Sequence, residues 1–531
     1  MGGAEQVEER YLISLDLGTS GAKAGVFALN GHLLGLAQEE YTWQHPQPGY
    51  SEIDPQLIWQ RAVSVVRQAV TRSGVPASRI AALGLSVIGE TCLPVDEQGE
   101  PVYPVVESMD VRANAYARYV AWWHERFGAE AIFRRTSYPL SSLPPAVKIL
   151  WWRDEAPEVF RRAARFVTLQ DYAIWRLTGH QAIDYSMASR TMLFDVRQKR
   201  WIPEYLRAIG ICEDRLSPPC EGSTPVGRVT ADAARETGLA EGTVVVPGAH
   251  DQACAALGVG ALHEGIAMDG SGSVEAIVSP TRTPIGSPSM LASGQGSQCS
   301  ASADLYLALG FHLAAGSLVR WYRDQLSQHE WEVARRQGRD VYDLLTEAAR
   351  QSPPGARGLM ILPHLCGAGT GRVPALNPRS RAAILGLGIT HTKADLSRAV
   401  FEGITYETRF LLSSLEETGI YTSQLIVTGG AAKSPFWLQL KADITQKRIA
   451  VPEVTEASLL GAALLAGVGA GIYASIEDAV ARACRQVATY DPNPTVTPVY
   501  DRFFAIYQDV YPAVIGLSER LCQAAAVDEG A

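Results

Sequence analysis

An α/β fold of two packed domains is what this sequence predicts, on three observations. The chain has 531 residues, more than one hydrophobic core of ordinary size holds. Short apolar runs alternate along it with segments of helical period. A layout of strand, small-residue turn and strand occurs twice, over residues 11–29 and again over 265–277. That is an approximate structural duplication, not a short-period repeat, so solenoids are excluded. The break is placed near 259–265, giving domains of 1–260 and 261–531 joined by a short hinge, because no Pro- or Ser-rich linker marks it. Hydrophobic residues make up 47% and charged ones 19%, which supplies real cores and excludes a disordered chain. The net charge of −9 carries no mandate to bind nucleic acid.

Residues 11–15 form an apolar run ahead of Asp16-Leu17-Gly18-Thr19-Ser20-Gly21. A second run follows Lys23 to residue 29, Asn30-Gly31 is a two-residue hairpin signal, and a third run covers 32–36. Helical spacing over 59–71 begins after Asp54-Pro55, and 80–87 reads as a buried strand. A further hairpin is predicted over 93–106, turning at Glu97-Gln98-Gly99. From 113 to 220 the chain is richer in helix, with 169–177 ending at Thr178-Gly179. A strand over 243–246 is predicted to end at Pro247-Gly248, with an Ala-rich helix from Asp251. In the second half, Gly270-Ser271-Gly272 occupies the bend of the 265–277 hairpin. A strand over 425–427 then enters Thr428-Gly429-Gly430-Ala431, and a helix starts at Ser434.

Residues 457–475 carry no charge and match a membrane span in length. Glycines 461, 467, 469 and 471 interrupt the stretch, and Glu456 and Glu477 flank it without basic anchors, so it reads as a buried helix running into a glycine stop. No membrane partner is expected. The start, residues 1–10, lacks a basic and apolar leader, and the eight cysteines include no CxxC pair. Both point to a cytoplasmic protein with reduced thiols, and Cys254 reads as a packing residue. No zinc spacing occurs. The Trp pairs at 122–123 and 151–152 read as packing, and Arg161, Arg162 and Arg165 as a solvated face.

Four segments carry chemistry. Asp16 to Lys23 is a small-residue turn whose amides approach a phosphate, with Thr19 and Ser20 as extra donors and Asp16 as an oxygen suited to Mg2+. Lys23 neutralises a phosphoryl group. An ordinary glycine turn with an Asp at its corner is the alternative. It is not a Walker A loop. Gly270-Ser271-Gly272-Ser273 is a second such bend, and the two together can close on a nucleotide from opposite sides. Gly429-Gly430-Ala431-Ala432-Lys433-Ser434-Pro435 makes room for a flat ligand or a phosphate, or is a plain β–α turn. In Pro247-Gly248-Ala249-His250-Asp251-Gln252, Asp251 can accept a proton from an attacking hydroxyl or serve as a helix N-terminal carboxylate; His250 is a competing base.

In this order along roughly 11–515, the segments resemble the FGGY family of carbohydrate kinases, in the sugar kinase, Hsp70 and actin superfamily. Residues 16–23 match its first phosphate hairpin, 270–273 its second and 250–252 its base segment. Residues 429–437, with Glu456-Ala457 and Leu460-Gly461-Ala462-Ala463, match its adenosine region. The resemblance implies two ribonuclease-H-like domains, with ATP and a small sugar or polyol meeting in the cleft between them. It implies Asp251 as the base, Asp16 as the Mg2+ ligand, and Gly18, Thr19, Ser20, Lys23, Gly270, Ser271 and Gly272 around the phosphates. Gly429, Gly430, Ala431 and Ser434 attend the nucleotide, and Glu90, Thr91, Asp110, Asp251 and Gln252 the sugar. Cleft closure would exclude water as a competing acceptor.

Substrate identity rests on a smaller set. Xylulose kinases carry Met-His-Gly where this chain has Gly89-Glu90-Thr91, and glycerol kinases carry Arg-Glu-Thr. Residues Asp184-Tyr185 and 188–194 resemble the glycerol kinase segment, yet Leu143 and Ser108 stand where those enzymes have Tyr and Trp. Losing an Arg, a Tyr and a Trp predicts a roomier pocket, hence a ketopentose such as xylulose or a related ketose or polyol, with glycerol as the alternative. Rivals are a non-catalytic nucleotide-binding module and a sugar sensor without turnover. Asp251, and the lack of a peptide-binding appendage, favour the kinase. The oligomeric state is left open, a homodimer included.

Overall fold

The structure, a computed structural model, describes residues 9–112, 115–373 and 375–528; residues 1–8, read above for a leader, lie outside them. The first half builds a six-stranded sheet from β1 (Tyr11–Leu17), β2 (Gly21–Ala28), β3 (Leu33–Glu40), β4 (Ile80–Val87), β5 (Gly227–Arg228) and β6 (Val244–His250). Their spatial order is β5-β6-β4-β1-β2-β3. The hairpin pairs β1–β2 and β2–β3 are antiparallel, and β1–β4 and β4–β6 are parallel. Strand β4 is buried along nearly its whole length, as its unbroken apolar run requires.

The second half repeats the plan. Strands β7 (Gly265–Ser271), β8 (Glu275–Thr281), β9 (Gly296–Cys299), β10 (Tyr306–His312), β11 (Thr422–Gly429), β12 (Arg448–Pro452) and β13 (Gln486–Tyr490) lie in the order β9-β10-β8-β7-β11-β12-β13. Here β7–β8 and β8–β10 are antiparallel, while β7–β11 and β11–β12 are parallel. Thus β3-β2-β1-β4-β6 and β10-β8-β7-β11-β12 share one topology, the duplication predicted from the two hairpins.

Eight helices matter for the site: α1 (Pro55–Ser73), α2 (Pro145–Glu155), α3 (Leu169–Thr178), α4 (Tyr185–Ser189), α5 (Asp251–Gly258), α6 (Lys393–Glu416), α7 (Pro435–Thr445) and α8 (Ala457–Gly469). Asp54 caps α1 by accepting from the Gln56 amide, Pro55 opens it, and Gly74 closes it in the left-handed region, as the sequence signals predict. The uncharged 457–475 stretch is α8, buried and followed by a left-handed Gly471. Among the described residues no helix is long and apolar enough to cross a membrane. Helices α5 and α8 form a hydrophobic cluster with residues of both sheets, among them Leu12, Val246, Met268 and Ile426. Their backbones touch at glycine: a Cβ on Gly461 would lie 1.9 Å from the Cys254 carbonyl oxygen, and one on Gly258 2.0 Å from that of Ala457. Cys254 is a buried packing residue there. Trp123 and Trp152 are fully buried, in agreement with their packing role.

Three local expectations change. Residues 93–106 do not form a regular hairpin: Leu93–Val95 pairs with Arg165–Val167 and Val105–Val106 with Glu52–Ile53, leaving only isolated bridges between the two segments. Strand β6 does not stop at Pro247-Gly248 but passes through them as a bulge against β4. Gly248 has φ +69°, and a Cβ there would sit 1.7 Å from the Leu85 carbonyl oxygen. The bulge carries the strand on to His250. The bend of the second hairpin is Gly272 to Val274, with Gly270 and Ser271 still inside β7.

Candidate active site

The parallel strands β1, β4 and β6, and in the second sheet β7 and β11, end at the cleft, so loop residues just past them converge. Asp16, near the end of β1, is paired across the hairpin with Lys23 and across the parallel ladder with Ser86, whose hydroxyl donates to its Oδ1. Burial, reinforced by the nearby Asp251 charge, pushes the Asp16 carboxyl up to about 7, against the Ser86 bond and Lys23, which lower it. Two aromatic residues after β3 hold the first turn: the Tyr41 hydroxyl donates to the Gly18 carbonyl and the Trp43 indole to that of Thr19. The Tyr41 amide donates to the Ser20 carbonyl. Thr19 and Ser20 are exposed at the tip. Lys23 pairs at 3.1 Å with Glu456, which precedes α8.

A cleft of about 480 Å³ is lined by Asp16, Lys23, Asp251, Gln252, Gly270, Gly272, Gly429, Gly430 and Glu456, among others. It adjoins a hollow of about 430 Å³ lined by Val319, Arg320, Tyr342, Phe401, Ser434 and Trp437, and the two share Gly272, Gly430 and Lys433. The first is lined by the carboxylates of Asp16, Asp251 and Glu456, and the second sets the aromatic rings of Tyr342, Phe401 and Trp437 among polar groups that include Asp340 and Asp343. Gly429 must be glycine: its φ is +77°, and a Cβ would stand 2.4 Å from the Ser271 carbonyl oxygen, which accepts from the Gly430 amide.

Asp251 opens α5 directly after β6, its side chain 29% exposed. Burial raises its pKa, but the His250 ring, the Gln252 amide and the Arg190 charge outweigh that and hold it below the ordinary value. It is therefore a carboxylate at neutral pH. His250 Nε2 lies 3.0 Å from Asp251 Oδ1, and Gln252 leaves its buried Oε1 without a partner.

Several expected ligand groups are engaged elsewhere. The Ser271 hydroxyl points inward to Asp269 and Glu275, which share the buried ammonium of Lys441 at 2.6 and 2.8 Å. Ala431 is buried in the core of the second half, and the Ser434 hydroxyl caps α7 through the Trp437 amide. Thr91 is fully buried and accepts from the Leu169 amide at the start of α3. Asp110 is fully buried between the Ser51 amide and Arg112. These side chains met the family spacing but face the interior, where the polar ones are satisfied by the partners named.

Glu90 lies just past β4 with φ +58°, a conformation unusual outside glycine. Its carboxylate accepts from the Tyr138 hydroxyl at 3.0 Å and pairs with Arg190, and Lys148 on α2 donates to its carbonyl. The roomier pocket expected at Gly89 is not found. A Cβ there would meet the His250 ring at 2.9 Å and Arg190 Cγ at 3.4 Å, so those side chains fill the space. An arginine and a tyrosine thus stand against Glu90 after all, but from after α4 and from the loop before α2. Sequence reading missed Tyr138, Lys148 and Gln298, whose separation from the site in sequence left no local signal; Arg190 lay within the 188–194 segment read for its resemblance but was given no role.

Family models settle what this constellation belongs to. The N-terminal domain model of the FGGY family of carbohydrate kinases matches residues 11–258, and its C-terminal domain model residues 270–470. The chain belongs to the FGGY family. It is 31% identical over 517 residues to an autoinducer-2 kinase of Yersinia pestis bv. Antiqua (strain Angola), covering 96% of this chain and 95% of that one. It is 29% identical over 471 residues, 88% of each chain, to a gluconokinase of Bacillus subtilis (strain 168). The fold is similar to that of gluconate kinase from Lactobacillus acidophilus (TM-score 0.87, 24% identity, 97% of this chain and 100% of that one). It is likewise similar to a xylulose kinase from Brucella ovis (TM-score 0.82, 26% identity, 96% and 100%). This FGGY chain therefore has the ribonuclease-H-like two-domain fold and is an ATP-dependent carbohydrate kinase.

Proposed function

We propose that this kinase transfers the γ-phosphoryl group of ATP to a hydroxyl of a small open-chain ketose or polyol, with Asp251 as the base. The observation that carries the reading is Asp251 itself: an ionised, partly exposed carboxylate in the same cleft as Asp16, Gly270 and Gly272. Asp251 takes the proton of the substrate hydroxyl, whose oxygen bonds to the γ-phosphorus in line, while the bond to the β–γ bridging oxygen breaks and ADP leaves with that electron pair. Thr19, Ser20 and Lys23 attend the phosphates with their side chains and Gly18, Gly270 and Gly272 through backbone; Lys23 exchanges Glu456 for a phosphate oxygen. Gly430 and Ser434 border the hollow, where the rings of Tyr342, Phe401 and Trp437 suit a nucleoside base, and Gly429 lines the adjoining cleft.

Asp16 fits a magnesium ion. Its carboxylate lines the cleft beside Asp251 with one oxygen held by Ser86, and Mg2+ binds through one or two carboxylates plus substrate phosphates. Among the described residues no cluster of three His, Cys, Asp or Glu forms an all-protein cage. When bound, the ion supplies charge neutralisation on the transferring phosphates.

For the sugar, Glu90 and Arg190 place an acceptor and a donor side by side, the pairing that reads neighbouring hydroxyls. Gln252 adds its unpartnered amide oxygen. A second reading, an aldonate, is favoured by the buried Nε of Arg190, which has no partner, and by likeness to enzymes named for gluconate. ADP release measured with D-xylulose, D-ribulose, erythritol, D-gluconate and glycerol decides. The proposal expects the highest kcat/KM with a four- or five-carbon ketose or polyol. Gluconate best selects the second reading, and glycerol best overturns both.

A further inference from the structure

The base is not held by its own half of the molecule alone. His250 is 6% exposed and lies between Asp251 and the second half of the chain. Its Nε2 is 3.0 Å from Asp251 Oδ1, and its Nδ1 is 3.1 Å from Nε2 of Gln298, on β9 of the second sheet. A carboxylate at that distance calls for the hydrogen on Nε2, and in the neutral ring Nδ1 then accepts from the Gln298 amide. Two further contacts fix the ring: the His250 amide donates to the Ser186 hydroxyl on α4, and Gly89 leaves no Cβ in the space the ring occupies. Strand β9 is itself anchored to the first half, since the Ser297 amide donates to the Ser137 carbonyl and the Cys299 amide to the Ser189 hydroxyl.

We infer that His250 is a positioning residue for the base Asp251, and that Gln298 sets its tautomer and angle from across the domain boundary. The inference rests on the reading of Asp251 as base. Its chemistry is a chain of donors, Gln298 to His250 to Asp251, which fixes one carboxylate oxygen and leaves the other to face the substrate hydroxyl. The second half thereby contributes to base geometry as well as to nucleotide binding.

Steady-state kinetics on the full-length protein with its best substrate, for His250→Ala, His250→Gln, Gln298→Leu, the His250→Ala/Gln298→Leu double variant and Asp251→Asn, test this. Misplacing a reacting group by an ångström costs up to about a hundredfold, so His250→Ala should lower kcat at least about tenfold while KM for ATP stays within about threefold. His250→Gln, whose amide reaches as far as Nε2 and donates, should recover most of that loss. Gln298→Leu should lower kcat by at least about threefold alone and add nothing to His250→Ala, the signature of groups acting in series. A His250→Ala enzyme with near-normal kcat, a His250→Gln enzyme as slow as His250→Ala, or additive losses in the double variant would overturn the inference. Should His250→Ala not fold, Gln298→Leu decides alone, and an unchanged kcat there overturns it. Asp251→Asn separates the two claims: near-normal turnover sinks the base reading itself, whereas a dead Asp251→Asn beside a normal His250→Ala sinks only the role of His250.

Discussion

Glu90 shows how a residue can be legible while its partners are not. Its place just beyond a buried strand marked it in the sequence, and the structure adds a left-handed backbone, Tyr138 and Arg190. Those partners sit 48 and 100 residues away, beyond the reach of local spacing. Glu90→Gln keeps the volume but removes the charge and one acceptor oxygen, so the Arg190 guanidinium loses its charged partner. A charged hydrogen bond is worth about 1.5–3 kcal/mol, so KM for the sugar should rise at least about tenfold, with KM for ATP little changed. Equal rises in both constants would show a general loss of structure instead. Lys148 is a second residue with a measurable signature. It is fully buried, donating to the carbonyls of Glu90 and Glu107, and burial pulls its ammonium down to about 8. An unfolded chain keeps that proton to about 10.4, so between these values the unfolded state binds more protons and Lys148 contributes increasing stability as pH rises. Urea unfolding at pH 8 and pH 10 should therefore show the gap between wild type and Lys148→Met widening with pH. A gap independent of pH would mean Lys148 is not held at a lowered pKa.

At the scale of elements, the hairpins, α1, β4, α3 and α8 were readable because their signals are local: periodicity, Asp-Pro and Asn-Gly turns, glycine stops. The departures come from long-range pairing. Residues 93–106 carry a turn signal, but Leu93–Val95 is claimed by Arg165–Val167, a partner distant in sequence. Pro247-Gly248 looks like a terminator, yet the neighbouring β4 holds it in a bulge and so delivers His250 and Asp251 to the cleft. The site residues Ser271, Thr91 and Asp110 illustrate the same limit, since a motif fixes where the backbone goes and packing decides which side chain faces in. The α5–α8 contact offers a direct check. Any side chain at Gly461 collides with the Cys254 carbonyl, and overpacking of this kind costs about 1–3 kcal/mol or more. Gly461→Ala should lower Tm by several degrees, and because the contact lies beside the cleft, it should lower kcat as well. A Tm within error of wild type would mean the two helices are not so closely packed.

The whole molecule is one topology used twice, with each copy turning a hairpin toward a shared cleft and α5 and α8 packed between the sheets. That arrangement lines the first cleft with residues of both halves, Asp16, Lys23 and Asp251 from the first and Gly270, Gly429 and Glu456 from the second, and builds the adjoining hollow from the second half. The most direct test of the account is single-turnover phosphoryl transfer by Asp251→Asn beside wild type, with ATP affinity measured on both. The account predicts ATP binding within about threefold of wild type and transfer slower by about two to four orders of magnitude, the weight of general-base catalysis. Transfer at a near-normal rate with intact ATP binding would contradict it.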